Sequence, residues 1–264
     1  MSIEPVEPIK TAELVEVGRP FGITDLMIVT ATVAFVLMIQ DSSPNFVKGD
    51  HWLRYVMQFS HASLTGVFLA ALIWIPRHRM RTGKFVQHPG HWILAAQMVA
   101  AVGILGFWIT SWFEMDDIPS PTSFPYAISL LVSAGLNLFA AGVSIAAIFS
   151  CKGRWKVTMA LIAVYCLLLA VTYVVSSVVS NQLFGFSDGW LFSWFTFYQW
   201  GFPVIAASVA ISICVAATID LVTKTKRDWL HRVGVLALLA SVTVLPVIQF
   251  FYMRILINAE ILNQ

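Results

Sequence analysis

Charged residues are scarce in this chain. Asp, Glu, Lys and Arg make up only 11% of its 264 residues, whereas 58% are hydrophobic. Soluble globular domains usually carry about 25% charged residues, so these few charges could not cover a water-exposed surface. The composition also excludes a disordered chain. A net charge of +2 is too small for the basic surface that a nucleic-acid-binding protein needs. The sequence therefore predicts a membrane protein.

The patterns that usually identify an active site are also missing. The chain has no HExxH motif, no Walker loop and no glycine fingerprint for a dinucleotide. Its three cysteines show neither CxxC nor Cys/His metal-ligand spacing. Because no lysine lies in the middle of an apolar run, a retinal Schiff base is excluded. The sequence thus predicts no catalytic residue and no metal ligand, and it leaves the cofactor unknown.

Long apolar runs are what the chain has instead. Most of the seven are long enough to cross about 30 Å of hydrocarbon as α-helices. They are 25–39, 55–75, 92–113, 126–150, 157–180, 197–221 and 233–257. We therefore expect an all-α integral membrane protein, a bundle of seven transmembrane helices over residues 23–257. Residues 1–22 are expected to form an N-terminal segment and residues 258–264 a short tail.

The positions of the cations predict the orientation of this bundle. Cytoplasmic loops of membrane proteins are rich in Lys and Arg. Of the 16 such residues, thirteen fall in the N-terminal segment and in the second, fourth and sixth loops, and three fall on the other side. The N-terminus is therefore predicted to be cytoplasmic and the C-terminus outside. Tryptophans near the helix ends, such as Trp74, Trp155 and Trp229, predict interfacial belts.

One short segment carries a resemblance to known sequences. The residues from Phe21 to Met27, FGITDLM, open the first apolar run. They resemble the pattern F-[SG]-I-x-[DR]-L-[LM], which recurs in uncharacterised membrane proteins of planctomycete bacteria. The resemblance implies a bacterial inner membrane as the location. It implies no activity, cofactor or site residue.

A polar stripe runs along the second apolar run. Arg54, Gln58, His61 and Thr65 are spaced by four, three and four residues, which places them on one face of a helix. Ionisable groups within a membrane span usually face the bundle interior or a water-filled cavity. Polar residues of other helices are expected at similar depth, near the outer ends. The candidate ligand-binding residues are Arg54, Gln58, His61, Asn137, Ser176, Gln199 and Gln249. The alternative is that these groups hydrogen bond between helices and only stabilise the bundle.

Four other histidines lie near the predicted cytoplasmic ends of the runs: His78, His88, His91 and His231. None of them is predicted to lie at the same depth in the membrane as His61. The sequence therefore disfavours a b-type haem held between two histidines. The residues from His88 to His91 also follow the cations at 77–84, which would repel a metal ion. This stretch, HPGH, is therefore predicted to be a solvated loop and helix start.

An aromatic segment at residues 183–198 separates the fifth and sixth apolar runs. Phe and Trp side chains favour the membrane interface. The segment is predicted to lie on the outer leaflet, to cover the outer pocket, or to dock a partner membrane protein.

Three functions fit these observations. The sequence favours a non-enzymatic scaffold or subunit of a membrane complex, in contact with the lipid bilayer and with no nucleic-acid partner. The second hypothesis is that a small polar molecule binds in, or passes through, an outward-facing pocket around His61. The third is a membrane enzyme that depends on a b-type haem or a metal ion.

Overall fold

The computed structural model describes residues 21–42, 52–82, 88–110, 124–151, 153–180 and 188–262. Those residues form seven α-helices and no strand, so the all-helical prediction is confirmed. The helices are α1 (Ile23–Ser42), α2 (Trp52–Thr82), α3 (Pro89–Thr110), α4 (Phe124–Ser150), α5 (Arg154–Ser180), α6 (Asp188–Val222) and α7 (Trp229–Leu262). Each contains a stretch that is long and apolar enough to cross a membrane.

The helices are mostly longer than the apolar runs that predicted them, because hydropathy marks only the part of a helix that crosses lipid. The longest extension at one end is in α6, whose 35 residues begin at Asp188. At 1.5 Å per residue this helix is about 52 Å long, which exceeds the hydrocarbon thickness. Residues 188–198 of the aromatic segment thus continue α6, while residues 183–187 lie outside the described residues. Likewise, α7 continues through residues 258–262 of the predicted tail.

Two hydrophobic cores hold the bundle together. One is built from α3 to α7 and includes Ile93, Met159, Ile213 and Leu238. The other is built from α1, α2, α3 and α7 and includes Phe68. Because α3 and α7 contribute to both cores, they form the centre of the bundle, with α1 and α2 on one side and α4 to α6 on the other.

Two glycines allow α3 and α7 to approach closely. A Cβ atom on Gly90 of α3 would collide with the backbone of His231, and one on Gly234 of α7 would collide with the carbonyl oxygen of Gly90. Backbone atoms cannot move aside as a flexible side chain can, so only glycine fits at these positions. The contact lies at the beginning of both helices.

Consecutive helices pack against one another, and their directions alternate. One end of the bundle therefore gathers the beginnings of α1, α3, α5 and α7 with the ends of α2, α4 and α6. We call it the basic end, because it holds Arg77, Arg79, Arg154, Arg227 and Arg232.

Candidate metal centre

Four of the six histidines of the chain come together at the basic end. His78 is on the last turns of α2, His88 and His91 lie at the beginning of α3, and His231 lies in the first turn of α7. The ring centroids of His78 and His91 are 4.8 Å apart, and those of His88 and His91 are 5.3 Å apart. The ring centroid of His231 lies 6.1 Å from that of His88. Edge-to-face ring contacts thus connect all four side chains.

The local sequence explains how α3 begins at this cluster. Pro89 takes the first helical position, where the missing N–H costs nothing and the fixed φ suits the helix. His91, only 1% exposed, follows two residues later. The predicted helix start is therefore correct, but the predicted solvation of this stretch is wrong for Pro89, Gly90 and His91, which are all buried. The close packing of α3 against α7 shields them.

Asp228 links the beginnings of α3 and α7. It precedes α7 and caps it, since its Oδ1 accepts the backbone N–H of His231 at 2.9 Å. The same carboxylate lies 2.9 and 3.0 Å from Nε2 of His91. Burial alone would raise the pKa of Asp228. The hydrogen bond and the positive charge of His91, together with the backbone N–H of His231, outweigh burial and lower this pKa to about 2.

His78, His91 and Asp228 form a group with the composition of a metal site. Each can offer one ligand atom, and the three atoms lie within 4.8 Å of one another. They come from three different elements: α2, α3 and the residue that caps α7. Two imidazole nitrogens and one carboxylate oxygen are a donor set found in zinc and ferrous iron sites.

A second carboxylate, that of Asp220 in α6, is 6% exposed, and its Oδ2 lies 4.0 Å from Nε2 of His231. Its Oδ1 accepts a hydrogen bond from the guanidinium of Arg154. Its Oδ2 accepts from Nε1 of Trp155 at 3.0 Å and from Nε of Arg227 at 2.9 Å. Trp155 lies at the end of a helix as predicted, but it is 2% exposed, so its indole packs inside the bundle and does not face lipid as a belt residue would. The indole stays inside because its N–H has a charged acceptor there.

Hydrogen bonds fix the proton positions on two of the histidines. The backbone N–H of Gly90 donates to Nδ1 of His231 at 2.8 Å, so this nitrogen carries no proton. Arg227 donates from its guanidinium to Nδ1 of His88 at 3.3 Å, because a guanidinium has no acceptor. Burial lowers the pKa of His88, and the positive charges of His91 and Arg227 lower it further, against the opposing effect of Asp228.

The candidate residues predicted from the sequence lie away from the basic end. Gln58 is buried and lines a groove of about 440 Å³ between α1 and α2. The groove is otherwise lined by Leu37, Met38, Asp41, Tyr55 and Phe59. His61, three residues further along α2, is partly buried. Asn137 is buried in α4 and donates from Nδ2 to the carbonyl of Ser133 in its own helix, at 2.8 Å.

Convergence of these residues on one pocket stays a prediction. Ser176 is partly buried on α5, whereas the side chains of Arg54, Gln199 and Gln249 lie outside the described residues. The main neighbours of α2 are α1, α3 and α7, and those of α5 are α4 and α6. His61 therefore lies on a different side of the central pair of helices from Asn137 and Ser176.

The cluster at the basic end was missed because its members are far apart in the chain. His91 and Asp228 are separated by 137 positions, and Asp220 and Asp228 have no motif around them. One signal was available, since the alternating helix directions put His78, His88, His91 and His231 at the same end. The sequence gives no information on which helices are neighbours there.

Comparison with known proteins adds no further constraint on the role of this cluster. The chain matches no protein-family model, no curated protein and no solved structure.

Proposed function

We propose that this chain is a multi-pass protein of the bacterial inner membrane that binds a divalent transition-metal ion at its basic end. The observation that carries the proposal is the group His78, His91 and Asp228, whose ligand atoms lie within 4.8 Å of one another. The group comes from α2, α3 and the residue that caps α7, so an ion bound there also connects these three helices.

The distances are close to those that an ion requires. A tetrahedral ion with bonds of 2.0 to 2.2 Å holds its ligand atoms roughly 3.5 Å apart. Nε2 of His91 and Oδ2 of Asp228 are 2.9 Å apart, so an ion between them would take the place of the proton that they share. Side-chain movements of about 1 Å would bring all three ligands into range.

The same contacts argue against a b-type haem, one of the other functions predicted from the sequence. The histidine rings touch edge to face, which leaves no room between them for the plane of a haem. The scaffold hypothesis gives the cluster a different role, as a fixed set of ion pairs that ties helix ends together. Binding of a small polar molecule around His61 concerns another part of the bundle and is independent of the metal site.

The metal site is tested by titrating protein purified in mild detergent with Zn²⁺ after removal of bound metal by a chelator. We expect one ion per chain. His78→Ala and Asp228→Asn should weaken binding on the order of 100-fold, since loss of an outer partner of a metal ligand alone costs roughly 10- to 100-fold. Asparagine remains a good helix cap, so the second variant removes the charge of Asp228 and keeps its capping role.

His61→Ala is the matched control, because His61 lies on the same helix as His78 but outside the cluster. It should bind Zn²⁺ like the unaltered protein. The proposal fails if the unaltered protein binds no metal ion, or if His61→Ala weakens binding as much as His78→Ala does. A fixed scaffold cluster predicts the first of these outcomes.

The orientation is tested by cysteine labelling in intact cells. Arg79 and Lys226 are exposed at the basic end, which the charge bias predicts to be cytoplasmic. A membrane-impermeant thiol reagent should therefore not label Arg79→Cys or Lys226→Cys until the cells are opened. It should label Asp117→Cys in the third loop. Labelling of Lys226→Cys in intact cells would overturn the orientation.

A further inference from the structure

The fourth histidine of the cluster, His88, lies beside the proposed ligands but is held by a different partner. Its ring centroid is 5.3 Å from that of His91. Its Nδ1 accepts a hydrogen bond from Arg227 at 3.3 Å. A neutral imidazole has one acceptor nitrogen and one N–H. Because Nδ1 directs its lone pair at the guanidinium, Nε2 carries the proton, and neither nitrogen is available to a metal ion.

Arg227 is itself held in place. Its Nε donates to Oδ2 of Asp220 at 2.9 Å. Asp220 is buried and also accepts hydrogen bonds from Trp155 at Oδ2 and from Arg154 at Oδ1. The guanidinium therefore has one side fixed by a carboxylate and another side directed at His88. It also remains accessible, because the side chain of Arg227 is 19% exposed.

From these contacts we infer that Arg227 keeps His88 out of the metal coordination, so that the ion takes a small oxyanion from outside the chain as its fourth ligand. The inference rests on the proposed metal site. Three protein ligands with one exchangeable position are the arrangement of zinc sites that bind substrates, whereas four protein ligands are typical of structural sites. The positive charge of Arg227 favours an anion at this position.

Arg227 is thus a positioning residue, and the oxyanion is either a free ion or the phosphate of a lipid headgroup. Both offer the same chemistry, a negatively charged oxygen that binds the metal ion and accepts a hydrogen bond from a guanidinium. The membrane interface, where the basic end of the bundle lies, gives access to both.

Cobalt is a suitable probe, because the visible absorption of Co²⁺ depends on its ligands. The protein is kept in a maltoside detergent, which contains no phosphate, loaded with Co²⁺ and titrated with inorganic phosphate. We expect phosphate to change the spectrum of the unaltered protein. If phosphatidylglycerol added to the detergent causes the same change without inorganic phosphate, the headgroup is the ligand. If neither addition changes the spectrum, the inference is wrong.

Variants test the role of His88. The Co²⁺ affinity of His88→Ala should be within about twofold of that of the unaltered protein. The Co²⁺ affinity of His78→Ala should be lower on the order of 100-fold. Arg227→Gln should free His88 to join the ion, which raises Co²⁺ affinity on the order of tenfold and abolishes the response to phosphate. The double variant Arg227→Gln/His88→Ala should return to the affinity of the unaltered protein.

A second substitution at Arg227 tests the inference even if Arg227→Gln does not fold. Arg227→Lys keeps a positive charge for Asp220 but cannot reach Asp220 and His88 with two separate nitrogens, so it should give the same gain in affinity. If His88→Ala weakens Co²⁺ binding as much as His78→Ala, His88 is itself a ligand and the inference fails while the metal site stands. If the unaltered protein binds no Co²⁺, the proposed function fails.

Discussion

Asp220→Asn is expected to lower the thermal stability of the protein more than any other conservative change at the basic end. The carboxylate is 6% exposed and accepts hydrogen bonds from Arg154, Trp155 and Arg227. Asparagine leaves two guanidinium groups, on side chains that are 34% and 19% exposed, without their counter-charge. Removal of one partner from a buried ion pair costs about 3 to 5 kcal/mol, a large part of a typical folding free energy.

Thermal unfolding in detergent, followed by circular dichroism, measures this effect. Asp41→Asn is the matched control, because Asp41 is an exposed acid near the other end of the bundle. It should unfold at the temperature of the unaltered protein. Equal unfolding temperatures for the two variants would show that the Asp220 network contributes no net stability.

Gly234→Ala and Gly90→Ala are expected to force α3 and α7 apart. The added methyl groups meet backbone atoms of the opposite helix, and overpacking of this kind costs about 1 to 3 kcal/mol. His91 and Asp228 lie on the two sides of this contact, so the separation should also weaken Zn²⁺ binding. The effect on the metal site arises without a change in any proposed ligand.

Gly142→Ala provides the comparison for these glycine variants. Gly142 lies within α4, and a Cβ atom there would have no neighbour within 4 Å. Alanine is favoured over glycine in a helix by up to about 1 kcal/mol, so this variant should be as stable as the unaltered protein or slightly more so. If Gly234→Ala behaves in the same way and keeps full Zn²⁺ affinity, close approach of α3 and α7 is not needed.

The number and order of the helices could be predicted because hydropathy is a local property. Each run that crosses lipid must be apolar over its own length, whatever its neighbours are. The beginning of α3 could also be read locally, from Pro89 at a first helical position, whereas Asp228 as the cap of α7 was not predicted. These signals depend on residues a few positions apart.

The candidate site could not be predicted in the same way, because it depends on which helices are neighbours. Trp155 illustrates the difference. Its position at a helix end fits an interfacial belt, and only the proximity of Asp220, 65 positions away, explains why the indole is inside. The pairing of His91 with Asp228 likewise requires that α7 packs against α3.

The central position of α7 has a consequence for how the protein is made. Chains are synthesised from the N-terminus, so α7 emerges last, although it completes both hydrophobic cores. Until then His91, in the third helix, lacks its acid partner Asp228, and the α1–α2 side of the bundle lacks its contact with α7. Assembly therefore cannot be completed helix by helix as the chain is made. The first six helices stay incompletely packed until α7 packs against α2, α3 and α6.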